Sequence, residues 1–138
     1  MGDHRIVVGV DGTDGGRRAL DWALHEAAAR GSTVQAVMSW RWDTAEPTQS
    51  SDETQRAAQR TLRAELAAQT ATTRVPVAAE VVEGRAADVL CDAARDADLL
   101  VLGSHGHDRL YHTVLGSTAQ ECVENAHCPV VVIPAAVR

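Results

Sequence analysis

Five short runs of Val, Ile and Leu, separated by segments whose apolar residues recur at helical spacing, constrain this chain more than any other feature. Residues 6–10 form the first run. A helix capped by Thr13 or Asp14 then runs to Arg30 and stops at Gly31, with Ala19, Leu20, Ala23, Leu24 and Ala27 on its inner face. Thr33–Trp40 reads as the second strand, followed by a polar loop, residues 41–51, that holds Trp42 and Pro47. A helix over residues 52–69 aligns Ala58, Leu62 and Leu66, and residues 77–82 form a third strand ended by Gly84. Ala86, Val89, Leu90, Ala93 and Ala94 share one face of a third helix. Residues 99–102 are the fourth strand, residues 118–125 the fourth helix, and Val130–Ile133 the fifth strand. Uninterrupted apolar strands alternating with helices predict one α/β domain over residues 1–138, a parallel sheet with helices on both faces.

Composition narrows the chemistry. The chain carries a net charge of −6, which argues against a nucleic-acid partner. All 13 basic residues are arginine, so a phosphate-binding P-loop lysine, a lysine Schiff base and a lysine general base are excluded. No apolar run approaches the roughly 18 residues of a membrane helix. The first strand begins almost at once, so a secretory leader is not expected. Cys91, Cys122 and Cys128 are odd in number and lack paired spacing, which points to reduced thiols in a cytoplasm rather than to a disulfide or zinc framework.

Ligands of such sheets sit beyond the carboxyl ends of strands, where strand order reverses. Asp11-Gly12-Thr13 after the first strand and Gly103-Ser104-His105-Gly106 after the fourth are the candidate segments. After nine intervening residues, Gly116-Ser117 opens a helix on which Ala119, Cys122, Val123 and Ala126 fall at helical spacing. Strand, glycine loop and helix start together let backbone N–H groups surround a phosphate. Ser117 with Gln120 and Thr118 with Glu121 also fit a capping box, which leaves the first-turn amides available. His105, His107 and His112 lack the spacing of a metal site. Arg85 and Arg109 read as exposed arginines that could offset phosphate charge. Trp40 and Trp42 either pack over the site or cover the end of the sheet.

These segments resemble the ATP-binding type of the universal stress protein family. The residues that carry the likeness are 6–13 (Ile-Val-Val-Gly-Val-Asp-Gly-Thr), Gly103-x-x-Gly106-x9-Gly116-Ser117, and 128–134 (Cys-Pro-Val-Val-Val-Ile-Pro). The resemblance spans the chain and implies a Rossmann-like five-stranded sheet of order 3-2-1-4-5. It implies an ATP site, with Mg2+, at which Asp11 lies beside the adenosine, with Gly9 and Val10 supplying backbone and wall. Ser39 would touch the base. Leu102, Gly103, His105 and Gly106 would line ribose and phosphates, and Gly116, Ser117 and Thr118 would hold the phosphates.

Ala119 departs from the pattern, since nucleotide-binding members often carry a hydroxyl there. The lost hydrogen bond is worth about 1 kcal/mol, or about fivefold in affinity. The resemblance further implies a cytoplasmic homodimer paired through Val130–Ile133 and a regulatory protein partner. Residues 107–115 join the two phosphate-binding ends and are expected to change with bound nucleotide, and ATP hydrolysis is expected to be slow or negligible because no sequence feature demands it. Two other readings stand beside it: a nucleotide-free protein-interaction module of the same fold, and an adenylate-handling enzyme such as an ATP pyrophosphatase. The last is disfavoured because Asp11-Gly12-Thr13-Asp14-Gly15-Gly16 lacks that class's Ser-Gly-Gly phosphate loop.

Overall fold

The computed structural model describes residues 4–41, 50–105 and 115–134. Nine elements alternate along the chain: β1 (Arg5–Gly9), α1 (Asp14–Arg30), β2 (Thr33–Trp40), α2 (Ser51–Thr70), β3 (Val77–Glu83), α3 (Ala86–Ala93), β4 (Leu99–Gly103), α4 (Ser117–Asn125) and β5 (Val130–Ile133). The strands form one parallel sheet in the order β3-β2-β1-β4-β5. β5 is therefore an edge strand, and β1 lies at the centre between β2 and β4.

The alternation of side chains along each strand divides the core in two. Ile6 and Val8 of β1, with Val34, Ala36 and Met38 of β2 and Val101 of β4, pack beneath α1 and α2. Val7, Val37, Leu100 and Leu102 point the other way, beneath Ala87, Val89 and Leu90 of α3 and Ala119 and Cys122 of α4. Val7 and Val8 are both fully buried, so the central strand has no polar face. That is why its sequence is a continuous apolar run rather than an alternation.

Local chemistry sets the element ends. Thr13, not Asp14, caps α1: its hydroxyl accepts from the Gly16 amide at 3.2 Å, and Gly31 closes the helix in the left-handed conformation with φ 67°. α2 begins at Ser51 because Ser50 accepts from the Glu53 amide at 3.1 Å. Of its expected inner face only Leu62 is fully buried. It shares that burial with Glu65, whose carboxylate accepts from Arg17 Nη1 at 3.2 Å.

Three expectations are corrected. α4 is capped by Gly116, which has no side chain, and neither Ser117 nor Thr118 forms a capping box. Val123 is exposed, while Ala119 and Cys122 of the same helix are buried. The strand at residue 6 starts one residue earlier and ends at Gly9, yet the Val10 amide still donates to the Val37 carbonyl at 2.9 Å. Trp40 is half-buried at the end of β2, with its carbonyl accepting from the Gly84 amide, and Trp42 lies outside the described residues.

Candidate functional site

β1 and β4 are neighbours, and their crossovers leave on opposite faces of the sheet. Their carboxyl ends diverge into a cleft of about 340 Å³. The end of β1 supplies Gly9, Val10 and Asp11, and the end of β4 supplies Leu102, Gly103 and, two residues on, His105. Ser39 enters from β2, and Gly116, Ser117 and Thr118 from the start of α4. Ten of the expected site residues thus line one cavity; Gly106, the eleventh, lies outside the described residues, as do His107, Arg109 and His112.

The β1–α1 turn is held from inside. Asp11 Oδ1 accepts from the Thr13 amide at 3.0 Å and from the Thr13 hydroxyl, whose oxygen in turn accepts from the Gly16 amide. Gly12 takes φ 80°, a left-handed conformation that glycine adopts without strain. Its carbonyl accepts from Arg17 Nη1 at 3.2 Å, the same nitrogen that reaches Glu65. A carboxylate at the end of a central strand is thereby fixed in the cleft wall by the cap of the helix that follows it.

Across the cleft, the peptide around Ser104 ties three elements together. Its amide donates to the Ile133 carbonyl of β5 at 2.8 Å, and its carbonyl accepts from the Gly116 amide at 2.6 Å. The second bond sets the start of α4 beside the end of β4. Because Gly116 offers no side-chain cap, the first-turn amides of α4 meet no side-chain acceptor among the described residues. A helix start in that state suits an anion. His105 Nδ1 lies 3.2 Å from Ser104 Oγ, a hydroxyl that is itself buried.

Arg85 does not face this anion site as a loose cation. Its Nη2 donates to both carboxylate oxygens of Glu121, at 2.8 and 2.7 Å, and its Nη1 donates to Asp88 at 3.2 Å. The Glu121 hydrogen bond, followed by the Glu121 charge and then Asp88, raises the Arg85 pKa above its ordinary value. No arginine is among the described residues that line the cleft. Donors to a bound phosphate would be backbone amides, hydroxyls and His105. Among the described residues no cluster of His, Cys, Asp and Glu is arranged to hold a metal ion by itself.

Sequence reasoning missed Gly16, Val37, Met38, Ala86 and Leu90 as lining residues. Val37 and Met38 could have been found by continuing from Ser39 back along β2. Leu90 reads from sequence as an ordinary inner-face residue. It reaches the cleft because residue 9 is glycine: a Cβ there would stand 2.9 Å from Leu90 Cδ1.

The fold and this cleft define a doubly wound α/β protein with a candidate small-ligand cleft at its switch point. The sequence model of the universal stress protein family matches residues 4–134, and the chain belongs to that family. It is 36% identical over 133 residues to a universal stress protein of Mycobacterium tuberculosis, which covers 93% of this chain and 47% of that one. The chain therefore spans about half the length of these curated relatives. Among solved structures, it is similar to a universal stress protein family member from Burkholderia pseudomallei, with TM-score 0.73, 30% identity and coverage of 95% and 96%. It is also similar to the universal stress protein from Archaeoglobus fulgidus in complex with dAMP, with TM-score 0.63, 25% identity and coverage of 96% and 99%.

Proposed function

We propose that this chain binds an adenine nucleotide in the switch-point cleft, with ATP and Mg2+ as the physiological ligand, and acts as a nucleotide-dependent regulator in the stress response. The observation that carries the reading is convergence. Residues scattered from Gly9 to Thr118, selected from sequence as a nucleotide site, line one cavity of a size suited to a nucleotide. The archaeal relative in complex with dAMP supports the adenosine part. Uncapped amides at the start of α4 support the phosphate part. Ser39 and the β2 wall would meet the base, Asp11 the ribose, and Gly103, His105 and the α4 amides the phosphates. Mg2+ would offset triphosphate charge, with Asp11 reaching it through water. The regulator is proposed to be cytoplasmic and homodimeric through the β5 edge, where two-fold pairing of Val130–Ile133 would cover an otherwise open apolar strand. A regulatory protein partner would read the bound state.

The test is to purify the protein without added nucleotide, denature it, identify released small molecules by mass spectrometry, and titrate the emptied protein with Mg2+ and ATP, ADP or AMP. Thr118→Asp places a negative charge at the α4 start, where an acidic residue suits the helix. It should keep the fold and abolish binding of ATP. Recovery of ATP, or binding of ATP that Thr118→Asp removes, supports the reading. A protein that is isolated empty and gives no heat with millimolar ATP overturns it and favours a nucleotide-free interaction module.

A further inference from the structure

The three cysteines, on α3, on α4 and just before β5, gather around the core beneath α3 and α4. Cys122 is a fully buried member of that core, and Cys91 and Cys128 pack against it half-buried. Cys91 sits on α3 and Cys122 on α4, two helices that pack against each other over this core, and each thiol lies close enough to shift the ionisation of the other. We propose that Cys91 and Cys122 are an oxidisable thiol pair, which a hydroperoxide converts to an intramolecular disulfide that staples α3 to α4 directly behind the cleft.

Exposure assigns the roles. Cys91 is the sulfur a small oxidant can reach, whereas Cys122 has no exposed surface. In the first step the Cys91 sulfur attacks the peroxide O–O bond, forming a sulfenic acid and releasing water (or an alcohol). In the second, the Cys122 sulfur displaces the sulfenic oxygen, which leaves as a second water carrying the Cys122 proton. Two electrons pass from the thiol pair to the peroxide.

Both thiols resist ionisation. Burial pushes Cys122 up to about 12. Cys91 is raised, first by burial and then by the negative charges of Asp88 and Asp92 on its own helix and Glu121 on α4. Cys128, also raised by burial, feels Cys91 in turn. Because the thiolate is the nucleophile, oxidation is slow at neutral pH and accelerates as pH rises.

The staple lies one residue from the cleft on one side and one turn from it on the other. Leu90, next to Cys91, and Thr118 and Ala119, four and three residues before Cys122, are lining residues. Locking α3 to α4 would change how far these walls can separate. That consequence rests on the nucleotide reading; the disulfide itself does not.

The experiment treats the whole reduced protein with hydrogen peroxide across pH 7 to 10, then reads intact mass and mapped peptides. Trypsin cuts only at arginine here, giving peptides 86–95 and 110–138, and cleavage after Glu124 separates Cys122 from Cys128. The expected result is loss of two hydrogens, a link between Cys91 and Cys122, a free Cys128 and a monomeric chain on non-reducing gels. The melting temperature should rise by several degrees. Cys128→Ser should behave like the parent, and the half-exposed Cys91→Ser should lose the link without unfolding. Sulfinic acid at Cys91 without a link, a link to Cys128, or only intermolecular dimers would each overturn the proposal. Nucleotide titration of reduced and oxidised protein is a separate readout. Binding by the reduced form that is unchanged on oxidation removes the coupling alone. No binding by either form counts against the nucleotide reading and leaves the disulfide standing.

Discussion

Gly103, the last residue of β4, lies against the backbone of Gly15 in the first turn of α1. A Cβ added at residue 103 would stand 2.9 Å from the Gly15 carbonyl carbon and 3.1 Å from its Cα. The close approach brings the α1 start up to the end of β4, on the opposite side of the sheet from α4, and it is backbone against backbone, so no flexible side chain can yield. Gly103→Ala should therefore cost about 1–3 kcal/mol, read as a lower urea midpoint at unchanged slope. An unchanged midpoint would show that α1 shifts freely.

Arg17 and Glu65 join the β1–α1 turn to α2, and only Glu65 is buried. Arg17→Ala strands a buried carboxylate and removes the donor to the Gly12 carbonyl. We expect a loss of about 1–3 kcal/mol, with Glu65→Gln costing less because an amide tolerates burial better than an unpaired charge. A double-mutant cycle in chemical denaturation checks the pair; strict additivity would mean that the bridge carries no energy.

Ala119 is buried in the first turn of α4 and lines the cleft. Ala119→Ser should tighten ATP about fivefold by adding one hydroxyl toward the phosphates, a gain of about 1 kcal/mol. Isothermal titration of parent and variant decides it. Weaker binding by the variant would mean that this methyl contacts an apolar part of the ligand.

The raised pKa of Cys122 has a stability consequence. An unfolded thiol ionises near pH 9, while the folded one stays protonated up to about 12. Between those values the native state binds more protons than the unfolded state, so stability falls as pH rises, by at most about 1.4 kcal/mol per unit for this thiol. The absence of lysine leaves few other groups titrating in that window. Cys122→Ala should flatten the alkaline limb of a denaturation series; a limb of undiminished slope would assign it elsewhere.

Every element was legible in the sequence because β1, β2 and β4 are largely buried apolar runs, the edge strands β3 and β5 are valine-rich and bounded by proline or glycine, and each helix has an alanine or leucine face. Boundaries moved by one or two residues where a cap was decided by geometry, as with Thr13 over Asp14. The cleft was legible on its β1, β4 and α4 sides, where glycine and hydroxyl residues stand out. Its α3 side was not. Leu90 looks like any core leucine until Gly9 is seen to make room for it. Val123 and Cys122 look equally apolar in sequence, and only the packing of α4 on α3 and β5 decides which is covered. Arg85 could not be assigned, because Glu121, its strongest partner, lies 36 residues away.

Because both faces of β1 are apolar, hydrophobicity alone does little to stop the strand sliding by one position. Ile6, Val7 and Val8 could trade places between the two half-cores at a cost only in shape. What such a slide could not satisfy lies just beyond them. It would set a valine where a Cβ alone crowds the tip of Leu90, which would have to move, and would carry the Asp11 carboxylate away from Thr13. The residues that furnish the cleft are thus also the frame marks that tell the central strand where to stop. Substitutions chosen to alter the ligand at Gly9 or Asp11 should also appear as heterogeneity in strand alignment.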